Sequence, residues 1–365
     1  MKYFQKPSVV TVDSVVRYLI ILLSLKIGFF AGGCDSNISQ PLLAQSNLVL
    51  GAADDRFTVN NIPAFLLGAS YFDGRNYHES DLIALSAKGF NLIRVWLDWR
   101  EDSYLDENGN WRSGADQDLL RLVDFARRHG LIVDITILDD DAAFGNSESG
   151  RNRAVQNVTN LLKNKGNVLF DLANEHDHSG FAPQLTHNDA ANLSALVKQI
   201  DPDRLVTISS TGCHIICTDI NNIDTDNIRA EIDGANVDVL TPHFLRSNDW
   251  AEKMGPRLAA IKNYLQSINK NIPVYLQEEN RRKDNTGPSK GEFFKAAEDA
   301  VNLGAAAWVF HTAAGFDLKN STFFENLDST EEAVIDELAN RIFGSIADRV
   351  PPTPPRNIEV VNGSN

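Results

Sequence analysis

The chain has 365 residues, 43% hydrophobic and 23% charged, with a formal net charge of −15. That is enough apolar material for one large core or two small ones, and the charged fraction is ordinary for a soluble protein. The acidic balance repels phosphate backbones, so nucleic acid is excluded as an expected partner, and polyanionic glycans are disfavoured.

At the amino end, Lys2, Lys6 and Arg17 precede an apolar run over residues 18–25, which Lys26 separates from residues 27–30. The run is too short for a membrane span and fits a secretory signal. It ends in Ala31-Gly32-Gly33-Cys34. Small residues before a cysteine resemble a bacterial lipoprotein signal, in which Cys34 becomes the lipidated first residue. Cleavage near Ala44 gives a soluble secreted protein instead. Either way the protein is expected to be exported, extracellular or anchored to the cell envelope. The expected division is a signal over 1–33, a flexible leader over 34–55, a folded domain over 56–345 and a tail over 346–365.

Largely apolar runs follow at residues 64–70, 91–97, 131–138, 168–173, 205–209, 237–241, 272–277 and 305–310. Such runs suit parallel strands buried on both faces. Their starts are spaced by roughly 30–40 residues, the length of a βα unit. Between them lie helical patterns, as over 116–128, where Leu119, Leu120, Leu122, Val123 and Phe125 share one broad face and His129-Gly130 is the stop. The alternation predicts an α/β fold, a (β/α)8 TIM barrel, with a doubly wound open sheet as the second choice. The first strand is followed by Tyr71-Phe72, with no glycine-rich phosphate loop.

Cys34, Cys213 and Cys217 are the three cysteines. In an oxidising compartment Cys213 and Cys217 are candidates for a disulfide, which at four-residue spacing needs an irregular loop. Cys213-His214-x-x-Cys217 also suggests zinc, but a fourth ligand is not evident, so no metal is assigned. The acidic stretch Asp139-Asp140-Asp141 lacks calcium-loop spacing and reads as solvated, as does the basic run Arg281-Arg282-Lys283. After residue 346 the chain turns proline-rich, an extended linker that could lead into a β-sandwich module.

Two strands end on glutamates, in Asp171-Leu172-Ala173-Asn174-Glu175 and in Pro273-Val274-Tyr275-Leu276-Gln277-Glu278. Two carboxylates at the ends of buried strands are what glycoside hydrolysis needs. With Asn174 beside Glu175, and with Gly89-Phe90-Asn91-Leu92-Ile93-Arg94-Val95-Trp96 as a second strand, the chain resembles the cellulase-type clan of retaining (β/α)8-barrel glycosidases, typified by family five. The resemblance implies that Glu175 is the general acid/base and Glu278 the nucleophile. It also implies that Asn174 donates to the sugar 2-hydroxyl. The family commonly has an aromatic residue after the nucleophile. Here Glu279 follows, which leaves Glu279 as a second candidate. Strand alternation puts Glu278 on the same side as Val274 and Leu276.

Arg94 inside an apolar strand needs a partner. The nucleophile carboxylate is one candidate, and a structural pair with Asp98 or Asp134 is the other. His243, at the end of strand six, is placed by the resemblance near the nucleophile. The resemblance places Trp308 as a sugar platform. Because Val309 and Phe310 continue the strand, the other reading is core, with His311 and Phe316 closer to the mouth. Trp96, Tyr71 and His311 are further substrate-binding candidates. The expected function is a glycoside hydrolase acting by double displacement on a neutral β-linked glycan. It needs no cofactor, no protein partner is predicted, and Cys34 is a candidate lipid anchor. The alternative is a non-catalytic glycan-binding or scaffold protein on the same barrel.

Overall fold

The computed structural model describes residues 48–99, 102–139, 147–178, 185–216, 219–283 and 286–347. The chain enters through a three-stranded antiparallel sheet of β1 (Leu50–Ala53), β2 (Arg56–Val59) and β3 (Ile62–Ala64). Asn60 and Asn61 join β2 to β3, both with positive φ, 52° and 65°. That is the requirement of a type I′ hairpin turn, and asparagine tolerates the left-handed region. The ordered fold therefore starts before the expected boundary at 56. Leu48, Leu50 and Phe57 are buried, and the Leu50 amide donates to the Gly166 carbonyl at 2.8 Å.

The barrel strands are β4 (Leu66–Ser70), β5 (Leu92–Trp96), β6 (Ile132–Leu138), β7 (Val168–Ala173), β8 (Val206–Thr207), β9 (Ser209–Ser210), β10 (Thr241–Pro242), β11 (Tyr275–Leu276) and β12 (Ala307–Phe310). One parallel sheet runs β11-β12-β4-β5-β6-β7-β8. β8 and β9 flank Ile208 in one strand, β9 pairs with β10, and Leu240 bridges to Val274 just before β11. The ring closes, so the fold is a (β/α)8 TIM barrel, and an open doubly wound sheet is excluded.

The helices are α1 (Glu79–Ala87), α2 (Ala115–Arg128), α3 (Glu148–Leu162), α4 (His187–Ile200), α5 (Thr225–Arg229), α6 (Trp250–Ser267), α7 (Lys290–Asn302) and α8 (Ser329–Ala347). In α2, Leu119, Leu122, Val123 and Phe125 are buried as the pattern predicts, and Gly130 ends it at φ 74°. Residues Ala230–Gly234 continue α5 as a π-helical turn.

Strand alternation divides the core in two. Leu67, Ile93, Val95, Val133, Phe170, Val274, Leu276, Trp308 and Phe310 pack outward on the helices. Leu66, Leu92, Ile132, Leu169, Tyr275 and Val309 fill the barrel floor, plugged from below by Leu50, Phe57 and Val59. One or two positions further along the same inward rows the residues become polar: Ser70, Arg94, Asp134, Asp171 and Gln277, all fully buried. The change from apolar floor to ionic mouth falls at the carboxyl ends of the strands, where barrel enzymes carry their chemistry.

Candidate active site

Arg94 organises the mouth. Its Nη1 donates to Glu278 Oε2 at 2.9 Å, and its Nη2 donates to Asp171 Oδ2 and to Asn174 Oδ1, both at 2.8 Å. Its Nε donates to Thr136 Oγ1 at 3.2 Å and lies 3.6 Å from Asp134 Oδ2. Trp96 supports the guanidinium from 4.2 Å. Burial alone would discharge Arg94, but Asp171, Glu278 and Asp134 outweigh it and hold it cationic. Of the carboxylates anticipated for Arg94, Glu278 and Asp134 are therefore engaged together.

Glu278 follows the end of β11. Arg246 Nη2 donates to its Oε1 at 2.5 Å, and His311 Nε2 stands 3.7 Å from the same oxygen. Burial pushes the carboxyl up, but His311, His243, Arg246 and Arg94 outweigh burial and hold it well below 4.5. His311 is itself kept neutral by burial and by Arg246 and Arg281, despite Glu278. At neutral pH the ionisation of Glu278 therefore rests on the two arginines and His243. His311 Nδ1 must donate to the Glu279 carbonyl, 2.6 Å away, which leaves Nε2 to accept from Arg281 Nη1 at 3.0 Å.

Alternation along the strand had suggested that Glu278 shares a side with Val274 and Leu276. Those two face the helices, whereas Tyr275 lines the barrel interior. Glu278 reaches the pocket because β11 ends at Leu276 and the backbone leaves strand geometry. Glu279 is buried with Oε1 unpartnered, and burial pushes its carboxyl up to about 7 against the pull of His243, Arg246 and Arg257. Of the two neighbours, Glu278 is the one prepared as an anion.

Glu175 follows β7 and sits at φ +48°, in a region that non-glycine residues rarely adopt. Its amide is held by Ser209 Oγ at 3.0 Å, and the next amide, of His176, by the Ser209 carbonyl at 2.9 Å. His243 Nδ1 lies 3.0 Å from Glu175 Oε1 and 4.0 Å from Glu278 Oε2. His243 Nε2 faces Gln277 Oε1 at 3.4 Å, while Gln277 Nε2 donates to Asp134 Oδ2 at 2.7 Å. Both imidazole nitrogens thus face oxygen acceptors. Burial opposes a charge on His243, but Glu175 and Glu278 overcome it and raise its pKa above 6.5. Burial raises Glu175 in turn, and His243 more than offsets this, leaving it lowered. Nearest oxygens of Glu175 and Glu278 lie within 4.8 Å of each other.

Glu175, Glu278, Arg94, Asn174, His243, His311 and Trp96 are brought together as expected, and two candidates are not. Trp308 is fully buried in the helix-facing layer, paired in register with Leu67, so it is core and not a sugar platform. Tyr71 also points outward, donating to Asp81 Oδ2 at 2.8 Å and stacking on Phe323. The aromatic surface at the mouth is instead Trp96 stacked on Phe72 at 3.8 Å, with half-buried Trp99 and Phe316 beside them. Arg281 and Arg282 are half-buried and paired: the first bonds His311, and the second donates to Asp328 Oδ2 at 2.5 Å. They border a cleft of about 660 Å³, lined also by Phe316, Asp317 and Asp328. Asp140 and Asp141 lie outside the described residues. Sequence reasoning missed Arg246, Asp171 and Gln277. A charge inside the apolar run 168–173 was a signal of the same kind as Arg94, and Arg246, on a loop, had none.

A second cluster lies behind Glu175. Ligand atoms of His176, His187, His214 and Glu231 all fall within 4.8 Å of one another. Cys213, next to His214, is disulfide-bonded, and the other half-cystine lies outside the described residues.

A closed barrel with paired strand-end carboxylates defines the class of (β/α)8 glycosidases. The chain belongs to the cellulase family, glycosyl hydrolase family 5, which matches over residues 55–314. It is a glycoside hydrolase. No curated protein matches it. Among solved structures it is similar to a family 5 mannosidase from Rhizomucor miehei, with 14% identity, TM-score 0.61, and 82% of this chain and 99% of that one covered. It is also similar to an endo-1,4-β-mannanase from Eisenia fetida, with 16% identity, TM-score 0.57, and 80% and 96% covered. A β-mannanase from the blue mussel Mytilus edulis gives 15% identity and TM-score 0.56 over the same shares, 80% and 96%.

Proposed function

We propose that this enzyme is exported and hydrolyses a neutral β-linked glycan with retention of configuration, by double displacement. The observation that carries the reading is the glutamate pair. Nearest oxygens within 4.8 Å of each other favour the close pair of retaining enzymes, with carboxyl groups ~5–5.5 Å apart, over the ~6.5–9.5 Å pair of inverting ones. Glu278, held as an anion, attacks the anomeric carbon. Glu175 protonates the departing oxygen. Its proton is stored on the His243–Glu175 pair, 3.0 Å apart, and passes through Oε1 as the bond breaks. In the second step Glu175 takes a proton from the attacking water, and the pair is recharged. Asn174 gives Oδ1 to Arg94, which leaves its amide hydrogens for the sugar 2-hydroxyl.

Two guanidiniums at 2.9 and 2.5 Å from Glu278 favour an anionic nucleophile over a bound cation at this position. The intact pair also argues against a non-catalytic scaffold. Two of the three solved structures are described as β-mannanases and one as a mannosidase, so β-mannan is the first substrate to try, ahead of β-glucan and other hemicelluloses. Hydrolysis of a polysaccharide panel, with the first product anomer read by proton NMR, tests the proposal. Retention on a β-linked glycan is expected. Inversion, or no hydrolysis of any member, overturns it.

Export rests on residues 1–47, which lie outside the described residues. Mass spectrometry of the mature protein is expected to find acylated Cys34, or a terminus slightly downstream. An intact Met1 in the cytoplasm overturns it. Among the described residues no helix is long and apolar enough to cross a membrane.

A further inference from the structure

We infer that His176, His187, His214 and Glu231 form a closed zinc site that pins the segment carrying Glu175. The four side chains come from separate places in the chain. His176 directly follows Glu175, His187 opens α4, His214 lies in the loop after β9, and Glu231 sits in the π-helical turn after α5. π turns recur at functional positions, because the extra residue redirects side chains.

The Nε2 atoms of all three histidines and both oxygens of Glu231 are shielded from solvent and have no hydrogen-bond partner. Glu231 is fully buried and His176 is 2% exposed. An isolated carboxylate in such a place is costly unless a cation balances it. His214 Nε2 lies 3.6 Å and His176 Nε2 3.9 Å from Glu231 Oε1. Tetrahedral zinc, with bonds of about 2.0–2.1 Å, sets its ligand atoms about 3.3–3.5 Å apart. A small inward movement of each side chain completes the shell.

The far sides of the rings are prepared for this. His176 Nδ1 faces the Leu185 carbonyl at 3.3 Å, and His214 Nδ1 faces Asp177 Oδ2 at 3.1 Å. Both acceptors fix the proton on Nδ1, so each Nε2 lone pair points into the cluster. Asp177 is anchored in turn by the Thr211 amide at 2.7 Å and hydroxyl at 2.5 Å. Three imidazoles and one carboxylate select a borderline ion such as zinc over calcium or magnesium. Four protein ligands leave no open position, which makes the site structural. The cysteine pair that flanks His214 in sequence is not part of it.

The test uses the full-length chain with Zn(II) as the probe, and its readout does not depend on hydrolysis. Metal analysis after exhaustive dialysis should find one zinc per chain, and cobalt substitution should give the intense visible bands of a tetrahedral ion. His187→Ala, at a half-buried position, should lose stoichiometric zinc. Asp177→Asn should keep the ligands but weaken binding by ~10–100-fold, the usual cost of removing an orienting partner. Chelation of the wild type should lower its Tm, with recovery on adding Zn(II). Absence of zinc after loading, unchanged affinity in both variants, or preferential binding of calcium or magnesium overturns the inference. Zinc loading of the wild type decides the matter even if a variant does not fold.

Discussion

Arg94 Nη1 and Glu278 Oε2 are 2.9 Å apart, and both side chains are buried. A guanidinium carried by the second barrel strand thereby fixes the charge of a carboxylate beyond the seventh. Replacing Arg94 removes the cation from three carboxylates at once. Arg94→Met is expected to cost about 3–5 kcal/mol, as for other buried pairs broken on one side. Arg94→Lys should fold better yet lose the fork geometry and about 10²–10³-fold in kcat/KM. Denaturation and kinetics on both variants check this.

The two glutamates should fail in different ways. Glu278→Ala should abolish turnover, with azide restoring some activity and giving inverted product. Glu175→Ala should lose roughly 10²–10⁴-fold on poor leaving groups and less on activated ones. Azide rescue of Glu279→Ala, with Glu278→Ala still active, would move the nucleophile by one residue.

His243 predicts a pH effect. Its folded pKa is raised above 6.5. Its contribution to stability is therefore full below pH 6.5 and lost as pH rises through the folded value. The same proton supplies Glu175, so the alkaline limb of kcat/KM should lie above pH 6.5. His243→Asn should move that limb and also shift the acid limb upward, because His243 is one of the cations that hold Glu278 below 4.5. A pH–rate profile of both proteins is the check.

Glu279 predicts the opposite use of a carboxyl. With its pKa near 7 in the fold and 4.5 as the ordinary value, it resists ionisation, and stability falls as pH climbs from 4.5 through 7. Glu279→Gln should raise stability at pH 8 by about 1–3 kcal/mol and change little at pH 4. Thermal melts at the two pH values measure it.

Phe316 stands at the mouth, whereas Trp308 is buried in the helix-facing core. Phe316→Ala should raise KM about 3–10-fold through the lost stacking face. Trp308→Leu should lower Tm and leave KM unchanged. A KM effect confined to Trp308 would restore it as the platform.

The barrel was legible because buried parallel strands show as apolar runs at a regular spacing. The paired glutamates of the mouth were legible because they follow such runs. Trp308 and Tyr71 were misplaced because which face a strand residue takes depends on register. Pairing of Trp308 with Leu67 and Leu276 sets that register. Glu278 reaches the pocket, but not by the alternation that the sequence suggested, which stops applying where β11 ends. Arg246, on a loop, gave no signal, and of the histidine cluster only His214 was singled out, because the members come from separate segments and meet only in three dimensions. The first antiparallel sheet was missed because its strands are three or four residues long and its turn is coded by asparagines without glycine.

That small sheet sets a limit on how far from its amino end the chain can be cut. Leu48 is buried, the Leu50 amide is tied to Gly166, and Phe57 packs edge-on against Tyr275 at 6.0 Å. Tyr275 in turn donates to Asp134 Oδ2 at 2.9 Å, so the floor plug and the ionic mouth are two contacts apart. On the proposed export, a cut before Leu48 leaves these contacts in place. A cut within residues 50–59 would open the barrel from beneath and loosen the carboxylate lattice that holds Arg94.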